Sequence, residues 1–265
     1  MRALEPITRA PFRDELAAIV REAGALAAST FGGTYKSWTK GGGSPVSDAD
    51  IAVNDFLRER LPRLMPAAWL SEETEDDLAR LSSSRLWVVD PIDGTRAYMS
   101  GRTDWAVSVA LVENGRPVAA ALFAPKEDGL YLALAGERAT RDDSPIAASI
   151  GAGLNGARVA GPQRRIDRLV KSEPGIIAEP KVHSLALRIA RVATGQLDVA
   201  FAGPDSHDWD LAAADLLVHE AGGKLTTCEG QPVIYNRAEA RHGALVASGR
   251  ARHGRLIDIM REAHP

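Results

Sequence analysis

Apolar residues at helical spacing mark the first two elements of the chain. Between positions 12 and 31 they recur every three or four residues, which predicts an amphipathic helix packed against a core: Phe12, Leu16, Ile19, Val20, Ala23, Leu26 and Ala27. A second helix is predicted from Asp48, which can cap it, to about Leu64. The glycine-rich segment 40–45 lies between them and is predicted to be a flexible loop.

The middle of the chain changes to the pattern of β-strands. The apolar run 86–89 predicts a buried strand that ends at Pro91, because proline fixes its own backbone angle and lacks an N–H group. Asn114 and Gly115 give a strong β-hairpin signal between two apolar runs. The pattern therefore predicts a meander of further strands at 105–112, 117–123 and 130–134.

The second half of the chain alternates between strands and helices. The segment 136–156 is rich in glycine, serine and alanine, and we interpret it as a linker or loop between an N-terminal half at 1–150 and a C-terminal half at 151–265. Short strands are predicted at 158–160, 197–201, 224–227 and 244–248. Helices are predicted at 164–171, 183–194, 209–221 and 252–262, the third of them stopped by Gly222 and Gly223.

Composition and charge narrow the classes of protein that fit. The 265 residues are 45% hydrophobic and 25% charged, as in ordinary globular proteins, and the formal net charge of −3 gives no general attraction to nucleic acid or anionic membranes. The lone cysteine, Cys228, excludes an internal disulfide and a cysteine-based zinc site. The first residues lack the apolar core of a signal peptide, and there is no apolar run long enough to span a bilayer, so we expect a cytoplasmic protein.

The run Asp90-Pro91-Ile92-Asp93-Gly94-Thr95 carries the most chemical information. It places two carboxylates three positions apart at the end of a predicted buried strand, directly before a short helical turn. Carboxylates in such a place can hold hard divalent cations, and free backbone N–H groups at the start of a helix can hold a phosphate. The motif therefore indicates metal-assisted phosphoryl chemistry.

Four acidic clusters lie at the edges of predicted elements, and together they resemble the motifs of a known family. Any one of them alone is more often a solvated or capping carboxylate. The matching stretches are Ser44-Pro-Val-Ser-Asp48-Ala-Asp50, Ser71-Glu72-Glu73, Trp87-Val-Val-Asp90-Pro-Ile-Asp93-Gly-Thr95 and Trp209-Asp210-Leu-Ala-Ala, followed by Glu220-Ala-Gly-Gly223. In order and spacing they resemble the inositol monophosphatase superfamily of magnesium-dependent, lithium-sensitive phosphatases, over roughly residues 12–262.

The resemblance implies a fold and a set of site residues. The fold is the layered α/β/α/β/α sandwich of the sugar phosphatases, an α/β class, with the site between the two halves. Two or three Mg²⁺ ions are implied, and their ligands are Glu72, Asp90, the carbonyl of Ile92, Asp93 and Asp210. The residues implied to bind phosphate are Gly94, Thr95, Asp93 and Asp210. Asp50 and Thr95 are implied to orient and deprotonate the attacking water, and Glu72 is the third implied catalytic residue. Glu73 is expected to support the ligands from behind. From this reading we expect Asp93→Asn to abolish activity and to leave the fold largely intact.

The substrate branch depends on the region before Trp209. Inositol phosphatases carry a glutamate there that contacts an inositol hydroxyl, whereas residues 199–207 contain none, and Asp205 is displaced from its place. Gly203 and Pro204 resemble bacterial 3′(2′),5′-bisphosphate nucleotidases, which we favour. An inositol-1-monophosphatase, a histidinol-phosphatase and a non-catalytic binding protein on the same fold stay open. Family analogy also implies a homodimer acting on a small phosphate monoester. From the net charge we expect no nucleic-acid or membrane partner.

Other polar patterns are weaker signals of function. Ser206, His207 and Asp208 are adjacent and so cannot face one another as a catalytic triad requires. The glycine-rich loop lacks the spacing of a phosphate-binding P-loop, although Lys40 in it can approach a third metal site by family analogy. The basic run 164–171 is typical of a solvated helix face and alternatively meets a second anionic group of the substrate.

Overall fold

The chain folds into two main β-sheets that alternate with three layers of helices. The computed structural model describes residues 9–33, 36–39 and 45–262. The helices are α1 (Arg9–Thr30), α2 (Asp48–Leu64), α3 (Thr95–Met99), α4 (Gln163–Ser172), α5 (Leu185–Ala193), α6 (Asp208–Glu220) and α7 (Arg250–Glu262), with a 3-10 helix at Ala79–Ser82. The strands are β1 (Ser37–Thr39), β2 (Pro45–Ser47), β3 (Ala68–Ser71), β4 (Arg85–Asp93), β5 (Ala106–Glu113), β6 (Arg116–Ala124), β7 (Gly129–Leu134), β8 (Thr140–Arg141), β9 (Ser144–Pro145), β10 (Arg158–Ala160), β11 (Ile177–Ala178), β12 (Val199–Ala202), β13 (Ser206–His207), β14 (Gly223–Thr227), β15 (Arg241–His242) and β16 (Leu245–Gly249).

The larger sheet has seven strands in the order β3-β4-β5-β6-β7-β8-β9. β3 is parallel to β4, and each later neighbour is antiparallel, with the predicted hairpin at Asn114 and Gly115 joining β5 to β6. Both hairpin residues have a positive φ, as a tight two-residue turn requires. One face of the sheet is covered by α1 and α2, whose Leu16 and Leu57 are buried with Trp87 of β4.

The smaller sheet has five strands in the order β11-β10-β12-β16-β14. α5 and α6 lie between the two sheets, and Leu187 and Leu217 share one core with Val88 of the larger sheet and Ala247 of the smaller. α4 and α7 cover the outer face of the smaller sheet through apolar residues such as Ile166 and Leu256. The predicted α/β/α/β/α sandwich is therefore confirmed, because both sheets are apolar on both faces and each face needs a helical cover.

Two predictions about β4 and its surroundings were incomplete. Pro91 does not end the strand: β4 continues to Asp93, and its register with β5 shifts between Asp90 and Asp93. A bulge tolerates proline because the extra residue makes no ladder hydrogen bond. The parallel strand β3 at residues 68–71 was not predicted, since so short a segment has too few apolar positions to show a period.

The segment predicted as a linker contains a small hairpin. β8 and β9 extend the larger sheet within residues 136–156, and Asp142 and Asp143 turn between them with positive φ values of 49° and 62°. Aspartate tolerates this backbone region better than most residues, so the turn does not need glycine. The division at residue 150 stays a prediction, and the helices in the described residues include none long and apolar enough to cross a bilayer.

Candidate metal centre and active site

Three carboxylates, two of them buried and one half-buried, meet where β4 approaches the first turn of α6. Asp90, Asp93 and Asp210 each offer an oxygen, and these three atoms lie within 4.8 Å of one another. Asp90 and Asp93 are only 1% and 5% exposed. The bulge in β4 brings both of its aspartates to one side, which regular alternation would not do at a spacing of three. Residues far apart in sequence therefore form one acidic centre.

Asp93 is held by the N-terminus of α5. Its Oδ2 accepts hydrogen bonds from the Ser184 hydroxyl at 2.5 Å and the Ala186 N–H at 2.6 Å, and its Oδ1 accepts from the Leu185 N–H at 3.2 Å. A helix N-terminus favours a negative charge because its first N–H groups have no partner within the helix. Asp93 therefore lines the cavity and is also joined to α5 by these hydrogen bonds. That Asp93→Asn leaves the fold largely intact stays a prediction, and the contacts with α5 indicate that the change also lowers stability.

Backbone hydrogen bonds orient the other two aspartates of the centre. The Ile92 N–H donates to Oδ1 of Asp90 at 3.1 Å, and the His207 N–H donates to Oδ2 of Asp210 at 2.6 Å. The second contact is a helix-capping interaction, because Asp210 occupies the third position of α6. Both carboxylates are thus fixed by the chain that immediately surrounds them.

Thr95 and Asp50 form the pair that the sequence motifs implied. The Thr95 hydroxyl lies 3.2 Å from Oδ1 of Asp50 and 3.0 Å from the carbonyl oxygen of Ile92. The other carboxylate oxygen of Asp50 accepts from the Ser47 N–H at 2.8 Å and the Ser47 hydroxyl at 2.6 Å. Asp50 is 1% exposed, and its hydrogen bond to Thr95 joins it to a residue of the cavity lining.

The electrostatics of this centre favour bound cations. Burial, followed by the charges of Glu72, Asp93 and Asp210, raises the pKa of Asp90 well above its usual value. Burial and the charge of Asp93 likewise raise the pKa of Asp210 well above its usual value. Burial also raises the pKa of Asp93, although the hydrogen bonds from α5 oppose it. Three clustered carboxylates with mutual repulsion, and Glu72 near them, fit hard divalent cations, whose charge would remove the repulsion.

Gly94 occupies a position that no other residue suits. Its φ is +95°, and a Cβ at this place would lie 3.2 Å from the Ser184 nitrogen and 3.3 Å from the carbonyl oxygen of Asp104. The backbone at Gly94 therefore packs directly against the start of α5. This close approach fixes the distance between the β4 aspartates and the helix that holds Asp93.

These residues open onto a cavity of about 690 Å³. Six of the predicted site residues line it: Glu72, Asp90, Asp93, Gly94, Thr95 and Asp210. The side chain of Ile92 is buried, and its carbonyl oxygen is the predicted ligand. Asp205 also lines the cavity. The described lining includes no residue of the basic run 164–171, and Lys40 with the rest of loop 40–44 lies outside the described residues.

Two ionisable side chains on the cavity were missed by the sequence reasoning, Lys181 and His183, and Arg96, directly after the central motif, lines it as well. The ring Nδ1 and the backbone N–H of His183 both lie 2.7 Å from Oδ2 of Asp104. Burial acts to raise the pKa of Asp104, but the hydrogen bonds from His183 outweigh it and the pKa is lowered. No sequence pattern identified Lys181 or His183. Ser184 could have been recognised as a helix cap, because it is a serine directly before an apolar helix.

The polar stretch before Trp209 is structural and not a triad, as predicted. Asp208 is buried and accepts from His242 Nε2 at 2.6 Å and from the Asn236 N–H at 2.9 Å. His207 instead stacks on Trp209 with ring centroids 4.5 Å apart. These contacts anchor the start of α6, and so the position of Asp210.

Comparison with known proteins agrees with the geometry. The model of the inositol monophosphatase family matches residues 9–264. The inositol-1-monophosphatase of Rhizobium meliloti is 32% identical over 200 residues, 72% of this chain and 75% of that protein. The 3′-phosphoadenosine 5′-phosphate phosphatase of Mycobacterium bovis is 31% identical over 215 residues, 78% of this chain and 76% of that protein. The crystal structure of the extragenic suppressor protein SuhB from Bartonella henselae superposes with a TM-score of 0.82 at 25% identity, over 94% of this chain and 98% of that one.

The match extends over nearly the whole chain and includes the acidic centre. The carboxylates that the family resemblance implied as metal ligands converge on one cavity with an all-oxygen donor set. The chain therefore belongs to the inositol monophosphatase family and is a metal-dependent phosphomonoesterase.

Proposed function

We propose that the protein hydrolyses a small phosphate monoester with Mg²⁺ held by Glu72, Asp90, the Ile92 carbonyl, Asp93 and Asp210. The observation that carries the proposal is the convergence of three carboxylate oxygens within 4.8 Å in the wall of an open cavity. When bound, two or three ions supply charge neutralisation and lower the pKa of a coordinated water. Oxygen ligands in this number suit Mg²⁺, which prefers carboxylates and water.

Thr95 and Asp50 orient the attacking water in this proposal. The Thr95 hydroxyl donates to Asp50 or to the Ile92 carbonyl, so its oxygen can accept a hydrogen bond from the attacking water. A proton leaving the water can pass through Thr95 to Asp50. Burial raises the pKa of Asp50, which makes it a better proton acceptor than an exposed aspartate. The proposed contribution of such a relay is about 10²–10⁴ in rate.

The backbone of Gly94 and Thr95 is the proposed phosphate cradle. Both residues line the cavity beside the aspartates. The first N–H groups of a helix have no partner inside it, so the N–H groups at the start of α3 can point at a phosphate. A phosphate bound there would lie beside the proposed metal ligands and the Thr95 hydroxyl, because all of them line the same cavity.

The proposed substrate is a nucleoside 3′(2′),5′-bisphosphate. Residues 199–207 contain no glutamate to hold an inositol hydroxyl, and Lys181 and Arg96 add positive charge to the cavity. Inositol monophosphate is the second candidate, because Asp205 lines the cavity and can take the place of that glutamate. A histidinol-phosphatase remains a third possibility within the family. The relatives at 32% and 31% identity include both an inositol and a nucleotide phosphatase, so identity alone does not discriminate between them.

A substrate panel tests the proposal. Catalytic efficiency is measured with Mg²⁺ for adenosine 3′,5′-bisphosphate, inositol 1-phosphate and histidinol phosphate, and again after chelation with EDTA. We expect the bisphosphate to have the highest kcat/KM and EDTA to abolish all turnover. A higher kcat/KM for either of the other substrates would replace the assignment, and absence of turnover on all three would favour a binding protein. The homodimer and the cytoplasmic location stay predictions.

A further inference from the structure

A second cavity adjoins the catalytic one and has the opposite charge. Its volume is about 660 Å³, and Lys181 lines both cavities. Asp104 contacts a lining residue of each cavity. Its Oδ2 lies 2.7 Å from Nδ1 of His183 in the catalytic cavity, and its Oδ1 accepts a hydrogen bond at 3.2 Å from Nε of Arg102 in the second cavity. We call the second cavity the basic cleft, after its five cationic side chains, Arg102, Arg141, Arg158, Lys181 and Arg191.

The acidic residues of the basic cleft do not balance these cations. Three acidic side chains line it, and one of them, Glu127, serves both Arg191 at 2.6 Å and Arg141 at 3.8 Å. Arg158 pairs with Asp198 at 3.1 Å, and Arg102 pairs with Asp104. Arg141 also lies 3.6 Å from Asp142, so each of the four arginines has an acidic partner, and Lys181 is the lining cation whose charge is available to an anion.

Lys181 is the cation best placed to bind a ligand. Its side chain is exposed, and within the described part of the chain it has no ion pair. The arginines, in contrast, contact other parts of the protein. Arg158, for example, also donates a hydrogen bond to the carbonyl oxygen of Gly195. Lys181 can therefore turn to a ligand without breaking a protein contact.

The two cavities differ in the charge of their lining residues and are therefore suited to different ligand groups. The catalytic cavity is lined by five acidic residues, so its capacity for phosphate depends on bound cations. A second anionic group on the same substrate would be repelled by those acids and attracted to the basic cleft. We propose that the basic cleft, which shares Lys181 with the catalytic cavity, binds the second anionic group of the substrate, and that Lys181 determines the preference for bisphosphates. This inference rests on the proposed phosphatase function.

A matched pair of ligands tests this subsite. Adenosine 3′,5′-bisphosphate and adenosine 3′-monophosphate differ only in the second phosphate. Their dissociation constants are measured by calorimetry with Ca²⁺ in place of Mg²⁺, and their kcat/KM values with Mg²⁺, for the wild type, Lys181→Ala and Lys181→Arg. Lys171→Ala is the control, because Lys171 is an exposed cation of α4 that lines neither cavity.

We expect the wild type to prefer the bisphosphate and Lys181→Ala to weaken the bisphosphate about tenfold more than the monophosphate, as for loss of a charge-assisted hydrogen bond to the second phosphate. Lys181→Arg should restore most of the preference, and added salt should reduce it. An equal loss for both ligands, or no loss, overturns the inference while the phosphatase function stands. If neither compound is hydrolysed but the bisphosphate preference in binding depends on Lys181, the proposed function fails and the subsite remains.

Discussion

Asp90→Asn is the substitution that tests the acidic centre most directly. Asp90 is buried, and its recorded hydrogen bond is to the Ile92 N–H, which the side-chain oxygen of asparagine can also accept. The change removes one negative charge that Glu72, Asp93 and Asp210 repel. Its NH₂ group can donate to a neighbouring carboxylate, so the variant should fold.

The two expected effects on stability have opposite signs. Without metal, each pKa unit by which burial and repulsion raise the pKa of Asp90 corresponds to about 1.4 kcal/mol of lost stability near neutral pH, and Asp90→Asn recovers it. With Mg²⁺ at about 100 times its dissociation constant, the wild type gains about 2.7 kcal/mol per site. For 265 residues this gain corresponds to a Tm increase of about 5 °C per site, which Asp90→Asn should lose together with activity.

The pH dependence follows from the direction of the shift. The pKa of Asp90 is raised on folding, so the folded state binds more protons than the unfolded state. The contribution of Asp90 to the stability of the metal-free protein is therefore fully present below the usual pKa of 3.8. It is lost as the pH rises through the raised pKa. Asp90→Asn should flatten that fall, and Mg²⁺ should remove it from the wild type.

Thermal unfolding in EDTA and in Mg²⁺ between pH 4 and 8 measures all three effects. Asp14→Asn is the control, because Asp14 is an exposed acid on α1 far in sequence from the centre. The reasoning is refuted if metal-free Asp90→Asn melts well below the control, or if it keeps the Mg²⁺-dependent rise in Tm.

Three further substitutions probe neighbouring contacts. Asp93→Asn should abolish activity and also lower stability by about 2 kcal/mol, because the amide NH₂ cannot accept the hydrogen bonds from α5; unchanged urea unfolding would contradict this. Gly94→Ala should cost about 1–2 kcal/mol and lower kcat/KM, because a Cβ at φ +95° meets the backbone at Ser184; wild-type values would exclude the tight approach. Thr95→Val should lower kcat by about 10²–10⁴ and keep the Mg²⁺-dependent rise in Tm, whereas Thr95→Ser should retain most of kcat; equal kinetics for both would exclude the hydroxyl relay.

The sequence predicted secondary-structure elements best where a short residue pattern is compatible with only one local structure. The Asn114-Gly115 turn and the stop at Gly222 depend on a few adjacent residues, and the structure confirms them. The predicted cap of α2 was wrong by one residue: Ser47 is the N-cap, and Asp48 is the first residue of the helix. The reading of Pro91 as a strand end failed because proline has two uses in sheets: it ends strands and it occupies bulges. Only the pairing with β5 decides between them.

The metal-ligand candidates could be named because acids in motifs at element edges are chemically distinctive. Their partners could not be named. Ser184 reads as an ordinary helix cap, and its bond to Asp93 depends on where α5 packs. Lys181 has no sequence signal, and its place on two cavities results from the meeting of the larger sheet with the segment before α5.

The sequence by itself determined the types of ligand and the elements that present them, because hydrophobic period, capping and turn chemistry act over a few neighbouring residues. The tertiary structure decided which of those acids share a centre, which backbone groups hold Asp93 and where positive charge collects. Those outcomes depend on contacts between segments about a hundred residues apart, such as Asp93 with Ser184. Such contacts form only when α5 and α6 are buried between the two sheets, and no local pattern encodes that packing.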